Sequence, residues 1–349
     1  MSDAEPPVGR WVNRPGEPIY AGVGATYAKV PLVLEPEELE GADVVVVGAP
    51  IDEATSGRPG SRFAPRAIRL ADVGGGRPEK HHMDLGVDPF DALTVVDYGD
   101  ADVAPADREG NQRSVREFVG HILEAGAVPV VLGGDHSILY PDAGAAADHF
   151  GKGSVGVIHF DAHADDAETV WRLGRGSHGT PIRYLVDEGS VRGDHIVQVG
   201  LRGPWPGPEE FAWAREQGLV WYTAGEIWDR GYREVIDGVI EGSRAPGRVW
   251  VSVDIDVVDP GFAPGTGTPE PGGLTPRELL WAVRRIAREV PLCGLEVVEV
   301  SPPYDHADVT SLLANRVVLE ALGGLALRRL GRPPHPERPK GTGRSQRSR

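Results

Sequence analysis

The sequence predicts an α/β protein built on one open, mainly parallel sheet with helices on both sides. Along residues 41–330, short runs in which nearly every residue is apolar alternate with longer helical patterns. Such runs are typical of strands that are buried on both faces. No linker divides this stretch, and single α/β domains of about 250 residues are common. We therefore expect a single three-layer α/β/α domain.

Seven apolar runs and seven helical patterns carry this prediction. The predicted strands are 44–48, 93–98, 127–132, 155–160, 196–200, 249–253 and 295–300. The predicted helices are 65–72, 112–125, 137–150, 208–217, 232–242, 275–289 and 307–329. Because strands and helices alternate, neighbouring strands are expected to be parallel. In sheets of this kind ligands bind at the carboxyl ends of the strands, so functional residues are expected there.

Both ends of the chain differ from this body. Residues 1–40 form the predicted N-terminal extension, which opens with a polar, acidic segment, so we expect no secretory signal. Residues 331–349 contain six basic residues, one acidic residue and four prolines. That composition cannot bury a core, which predicts a disordered basic tail. Contact of the tail with an anionic partner is the alternative.

The composition excludes several functional classes. The 36 Lys and Arg against 52 Asp and Glu give a formal net charge of −16, which disfavours nucleic acids and anionic membranes as partners. The apolar runs are shorter than the ~18 residues that a membrane span needs. The single cysteine, Cys293, rules out an internal disulfide and a cysteine-based metal site, and its apolar neighbours predict core packing. We expect a cytoplasmic location.

Acidic residues and histidines gather where four of the predicted strands end. The segments are Gly133-Gly-Asp135-His136, Asp161-Ala-His163-Ala-Asp165, Asp254-Ile-Asp256 and Glu299-Val-Ser-Pro-Pro303. On an extended chain, residues two apart point to the same side, so Asp161, His163 and Asp165 are expected to converge. Buried carboxylates without a cation cost several kcal/mol or become protonated. The pattern therefore predicts a divalent metal site.

The ligand types indicate which metal. Carboxylates and imidazoles without a thiolate favour Mn²⁺ or another borderline ion such as Ni²⁺ or Co²⁺, and the carboxylates suffice for two ions that share aspartates. Taken singly, each motif has an ordinary explanation as a solvated strand end, a helix cap or a turn. Their combination favours the metal site. The sequence lacks the Gly-x-Ser-x-Gly elbow of serine hydrolases and the Gly-x4-Gly-Lys-Ser/Thr phosphate loop.

These motifs resemble those of the ureohydrolases, the family of arginase and agmatinase. Five segments are similar to the agmatinase branch: residues 56–62, 177–181, 198–203, 259–273 and 299–305. The resemblance spans about residues 40–330. It implies an arginase-like fold, two Mn²⁺ ions, a small guanidino substrate and a homo-oligomer, either a trimer or a hexamer. The branch also includes guanidinobutyrase, guanidinopropionase, guanidine hydrolase and proclavaminate amidinohydrolase.

The resemblance also implies roles for individual residues. One ion would be held by His136, Asp161, Asp165 and Asp254. The second would be held by Asp161, His163, Asp254 and Asp256. Of the implied catalytic residues, Asp165 orients the attacking hydroxide and passes its proton to the leaving amine. His178 is the implied proton shuttle, and Glu299 is the carboxylate that receives the guanidinium.

Two residues are candidate substrate contacts. Asp166 departs from the family pattern, which often has Thr, Ser or a small apolar residue there, and its carboxylate predicts attraction of the distal amine of agmatine. An outward-pointing Asp166 without a role is the alternative. Arg175, in the following loop, predicts the opposite preference, for the carboxylate of a guanidino acid. His159, two residues before Asp161, is interpreted as a partner inside a strand and not as a ligand.

The leading hypothesis is an amidinohydrolase that cleaves a small guanidino compound to urea and an amine, with agmatine as the first candidate. Guanidinobutyrate, guanidinopropionate, proclavaminate and free guanidine stay open as alternatives. A formimino hydrolase that releases formamide is disfavoured by the segment Gly265-Thr-Gly-Thr-Pro269. A catalytically silent scaffold subunit is disfavoured because all six metal-ligand matches are present together with His178 and Glu299.

Overall fold

The computed structural model describes residues 26–71, 80–170 and 176–332. Within these residues eight strands are found: β1 (Val44–Gly48), β2 (Val95–Asp100), β3 (Val128–Leu132), β4 (Val155–Phe160), β5 (Ile196–Leu201), β6 (Val220–Thr223), β7 (Arg248–Asp254) and β8 (Leu292–Val298). They form one sheet in the order β2-β1-β3-β8-β7-β4-β5-β6, and every ladder is parallel. The predicted mainly parallel sheet is confirmed.

The same described part of the chain contains ten α-helices. They are α1 (Ala64–Leu70), α2 (Pro89–Ala92), α3 (Arg108–Glu124), α4 (Leu139–Phe150), α5 (Pro181–Asp187), α6 (Pro208–Gln217), α7 (Ala224–Arg230), α8 (Tyr232–Gly242), α9 (Pro276–Glu289) and α10 (Val309–Leu330). Helix α9 begins where its sequence predicts. The Thr275 side chain accepts the backbone N–H of Glu278, the Glu278 carboxylate accepts that of Thr275, and Pro276 occupies the first turn.

The helices cover both faces of the sheet. Along β1, alternation of the side chains places Val44 and Val46 in one hydrophobic core and Val45 in the other. The first core is closed by α1, α2, α7, α8, α9 and α10, and the second by α3, α4, α5 and α6. Cys293 packs in the second core and is 4% exposed. Three layers are therefore present, as predicted.

Helix α10 is long and apolar enough to cross a membrane by length and composition, but 78% of its most apolar window is buried inside the protein. Its Asn315 side chain donates to the carbonyl of Ile68 on α1. Asp305 accepts the backbone N–H groups of Thr310 and Ser311 and so fixes the start of the helix. These features are typical of a core helix.

Four elements were not predicted, and each is short. Strand β6 has four residues at the edge of the sheet, with Val220 46% exposed, so its apolar run is brief. Helices α2, α5 and α7 have four to seven residues, too few to repeat a helical pattern. Residues 1–25 of the predicted extension and 333–349 of the predicted tail lie outside the described residues.

Candidate metal centre and active site

The site lies at the carboxyl ends of the four adjacent central strands β3, β8, β7 and β4. His136 follows β3, Glu299 follows β8, Asp254 ends β7, and Asp161 follows β4. Because every ladder is parallel, all four strands end at the same edge of the sheet. The topology therefore brings together residues that are up to 163 positions apart in the sequence, such as His136 and Glu299.

Three predicted carboxylates surround one nitrogen of His136. Its Nδ1 lies 2.9 Å from Asp161 Oδ2, 2.9 Å from Asp165 Oδ2 and 3.2 Å from Asp254 Oδ2. All four side chains are buried. Nitrogen and oxygen ligands about 2.1 Å from one octahedral ion lie about 3 Å apart. The spacing of these atoms therefore fits ligands of a single cation.

The hydrogen bonds of His136 fix which form of its ring faces the carboxylates. Its Nε2 lies 2.7 Å from Ser252 Oγ, and the Ser252 hydroxyl donates to Glu296 Oε1 at 2.6 Å. The serine therefore accepts from Nε2–H, and the neutral ring carries a lone pair at Nδ1. Nδ1 and Asp161 Oδ2 have no hydrogen-bond partner. Since all the facing atoms are acceptors, only a proton or a cation satisfies them, and a metal ion fits.

A second group of ligands adjoins the first. His163 Nδ1 lies 3.1 Å from Asp256 Oδ2 and 3.5 Å from Asp161 Oδ1. Asp161 thus presents Oδ2 to the first group and Oδ1 to the second, which is the arrangement of a bridging carboxylate. Asp254 Oδ1 accepts the backbone N–H of Asp256 at 2.8 Å, so its Oδ2 is the oxygen that faces His136.

Without a cation, the acids and histidines change each other's protonation. Burial raises the pKa of Asp254 well above its usual range, and the charges of Asp256 and Asp161 raise it further. Burial lowers the pKa of His163, but Asp256 and Asp161 outweigh burial and raise it to about 12. His136 likewise has a pKa well above its usual range, because the carboxylates around it outweigh burial. Divalent ions would replace the protons that these groups hold in the absence of metal.

His159 stacks on His136, with ring centroids 4.8 Å apart, and its Nε2 lies 3.2 Å from Asp161 Oδ2. Its Nδ1 lies 3.3 Å from the Gln198 side-chain nitrogen, which can only donate. The proton of the neutral ring is therefore on Nε2, facing Asp161. The ring N–H of His159 thus points toward Asp161 Oδ2 from inside β4, the strand position that the sequence interpretation gave it, although the contact falls outside hydrogen-bond geometry.

Asp165 and Glu299 share an unusual backbone conformation. Their φ angles are +50° and +61°, in the left-handed region that side-chain-bearing residues rarely adopt. Neighbouring backbone holds both: the N–H of Ile182 donates to the Asp165 carbonyl, and the N–H of Glu299 donates to the carbonyl of Gly134. Such strain persists where the surroundings impose it, and it is concentrated at functional sites.

Glu299 and His178 form a pair beside the metal cluster. Glu299 Oε1 accepts the backbone N–H of His136 at 2.8 Å and lies 2.9 Å from His178 Nδ1, whereas its buried Oε2 has no hydrogen-bond partner. His178 Nε2 accepts the backbone N–H of Ser56 at 3.0 Å, which places the ring proton on Nδ1. Burial lowers the pKa of His178, but Glu299 raises it to about 9. Protonation at Nε2 requires the Ser56 contact to shift.

A cavity of about 270 Å³ leads from the surface to this centre. The predicted residues that line it include His163, Asp165 and His178, and the lining also includes Trp205 and Glu210. These last two were missed, because they come from a loop and helix after β5 that carry no recognisable motif. Their one sequence signal is their position just beyond the end of a strand.

The two predicted substrate contacts do not join this lining within the described residues. Asp166 is fully buried, neither carboxylate oxygen has a hydrogen-bond partner, and it lies outside the cavity wall. Burial and the charge of Asp165 together raise the pKa of Asp166 to about 6. Arg175 lies outside the described residues. A substrate-binding role for either residue stays a prediction.

Residues 42–323 match the model of the arginase family. The chain belongs to this family. It is 40% identical over 311 residues to the proclavaminate amidinohydrolase of Streptomyces clavuligerus, covering 88% of this chain and 96% of that protein. The solved structure of that amidinohydrolase gives a TM-score of 0.80 at 39% identity, covering 89% of this chain and all of the other. The arginase-like fold inferred from the sequence is therefore confirmed.

Other members of the arginase family with similar identity differ in name. A mitochondrial agmatinase of Gallus gallus is 39% identical over 284 residues, which cover 81% of each protein. A guanidinobutyrase of Pseudomonas aeruginosa is 39% identical over 305 residues, covering 87% of this chain and 93% of that protein. As an arginase-family amidinohydrolase, this protein acts on guanidino compounds at a C–N bond. Family membership alone leaves the substrate open.

Proposed function

We propose that this protein hydrolyses a small guanidino compound to urea and an amine, using two Mn²⁺ ions, with agmatine as the first candidate substrate. One observation carries the proposal: the lone pair of His136 Nδ1 faces three carboxylate oxygens within 3.2 Å. That donor set suits a divalent ion, and it adjoins Glu299, whose Oε2 is buried without a partner. The site thus has places for a cationic metal and for a cationic guanidinium.

The proposed ligands are the six residues inferred from the sequence. One ion is assigned to His136, Asp161, Asp165 and Asp254, and the other to Asp161, His163, Asp254 and Asp256. When bound, the ions supply Lewis acidity that activates water for attack on the guanidinium carbon. Oxygen and imidazole ligands also accept Ni²⁺ and Co²⁺, so the choice of Mn²⁺ rests on the family resemblance.

The protein's own groups bind and orient the substrate. Glu299 Oε2 accepts N–H groups of the guanidinium and holds its plane in one orientation. Asp165, which lines the cavity next to the cluster, transfers a proton to the leaving amine. His178 lies on the cavity wall between Glu299 and Ser56, and it exchanges protons with solvent.

Urea release tests the proposal. The metal-loaded protein is incubated with agmatine, guanidinobutyrate, guanidinopropionate, proclavaminate, arginine or free guanidine, each with Mn²⁺, Ni²⁺ or Co²⁺. We expect urea, with the highest kcat/KM for agmatine. Absence of urea from every compound, in protein that demonstrably retains metal, would contradict the proposal and favour the silent scaffold. A higher kcat/KM for a guanidino acid would contradict the choice of agmatine alone.

A further inference from the structure

Trp205 and Glu210 form a wall of the cavity that none of the metal or catalytic roles uses. Both follow β5, and Glu210 lies in the first turn of α6. Glu210 is partly buried, and its carboxylate has no hydrogen bond or ion pair within the described residues. A partly desolvated carboxylate without a partner is free to bind a cation that enters the cavity.

No lysine or arginine lines the cavity among the described residues. The nearby Arg183 is already engaged, since its Nε donates to the Asp166 carbonyl at 3.0 Å and its guanidinium stacks on Trp213 at 3.7 Å. Bound metal ions would neutralise the negative charges of the four aspartates at the inner end. The negative charge of Glu210 would remain.

Trp205 connects the inner end of the cavity to Glu210. Its ring lies 6.2 Å from the ring of His163, a proposed metal ligand. A methyl group placed on Gly179 would lie 3.4 Å from Trp205 Cη2, 3.1 Å from Val170 Cγ2 and 3.9 Å from Asp165 Oδ1. Because a side chain at position 179 would crowd the indole, the bare Gly179 keeps the cavity that both residues line open beside Trp205, where methylene groups of a substrate can pack.

We propose that Glu210, with Trp205 as the adjoining wall, selects guanidino compounds whose far end carries a positive charge. The inference rests on the proposed amidinohydrolase function and identifies the substrate class as amine-tailed guanidines. A substrate held by Glu299 at its guanidinium and extended along Trp205 presents its far end to Glu210. An ammonium group is attracted there, whereas a carboxylate meets a like charge, so the same side chain both favours one class and rejects the other.

The test uses three substrates of similar length that differ in the charge of the tail: agmatine, butylguanidine and guanidinobutyrate. For Glu210→Gln we expect the KM of agmatine to rise about tenfold, as for loss of one charge-assisted hydrogen bond. The kcat for agmatine and the KM of butylguanidine should stay within about twofold, and the KM of guanidinobutyrate should fall. Glu210→Arg should lower the KM of guanidinobutyrate further and raise that of agmatine.

Glu209→Gln is the matched control, because it removes the same charge from the same helical turn at an exposed position outside the cavity lining. An agmatine KM that changes no more in Glu210→Gln than in Glu209→Gln would overturn the role of Glu210 while leaving the amidinohydrolase proposal intact. A wild-type preference for guanidinobutyrate over agmatine would also overturn it. Absence of urea from these three substrates and from the rest of the panel above, in protein that retains metal, would instead overturn the proposed function, and this inference with it.

Discussion

The inner and outer ends of the cavity are built differently. At the inner end, buried side chains from four adjacent strand ends share atoms, so that one carboxylate, Asp161, contacts both His136 and His163. At the outer end, Trp205 and Glu210 come from a single loop and helix start and are partly exposed. The strand ends thus position the groups proposed for the reaction, whereas the residues proposed to select the substrate lie on a loop and a helix start that can change without disturbing the fold.

The largest loss of urea release is expected from substitution of a proposed metal ligand at the inner end of the cavity. Asp161→Asn removes the charge of the one carboxylate that faces both histidines, so both ions lose a ligand. We expect urea release to fall on the order of 10³-fold or more and metal content after desalting to drop, as measured by elemental analysis. Asp102→Asn, at an exposed position, is the control. Full metal content with normal turnover in Asp161→Asn would contradict the assignment.

Glu299→Gln separates substrate binding from metal binding. The change keeps the size of the side chain but removes the carboxylate whose Oε2 is free for the guanidinium. We expect kcat/KM to fall about 10²- to 10³-fold, with metal content unchanged because Glu299 is not a proposed ligand. Loss of metal together with activity would mean that Glu299 acts on the metal cluster and not on the guanidinium.

Gly179→Ala tests whether the substrate passes the point where the inner and outer ends of the cavity meet. The added methyl group would lie 3.1 Å from Val170 Cγ2 and 3.4 Å from Trp205 Cη2, so it narrows the path to the inner end. We expect the KM of agmatine to rise about fivefold, because overpacking of this kind costs about 1 kcal/mol or more. Free guanidine, which lacks a tail, should be affected less. Equal changes in the KM of agmatine and of free guanidine would contradict this, because they would show that the methyl group does not obstruct the tail of the substrate.

The residues at the inner end of the cavity could be predicted from the sequence because each of them lies in a short motif directly after a strand. Each ligand pair follows an apolar strand at a spacing of two residues, and parallel strands end at one edge. Oligomeric state and cytoplasmic location stay predictions. The left-handed backbone of Asp165 and Glu299 carries no sequence signal, because it is imposed by hydrogen bonds from distant segments.

The outer end was harder to predict because its residues meet only in three dimensions. Asp166 was chosen as a substrate contact for its proximity to Asp165 in sequence. The structure buries it away from the cavity wall, in line with the rule that neighbours on an extended chain face opposite sides. Glu210, from a different loop, lines the wall. Proximity in sequence therefore indicates which residues meet at the strand ends, but it gives no indication of which loop residues line the cavity.

Calorimetric titration of the metal-free protein with Mn²⁺, in buffers of different ionisation enthalpy, measures both the number of metal sites and the protons that metal binding releases. Without metal, the pKa of His163 is about 12 and that of His136 lies well above its usual range, so both rings are protonated at neutral pH, whereas a ligand must be neutral. We expect two sites per chain, release of protons from both histidines and from Asp254, whose pKa burial also raises, and an affinity that rises with pH. No saturable binding, or binding heat independent of the buffer, would contradict the account.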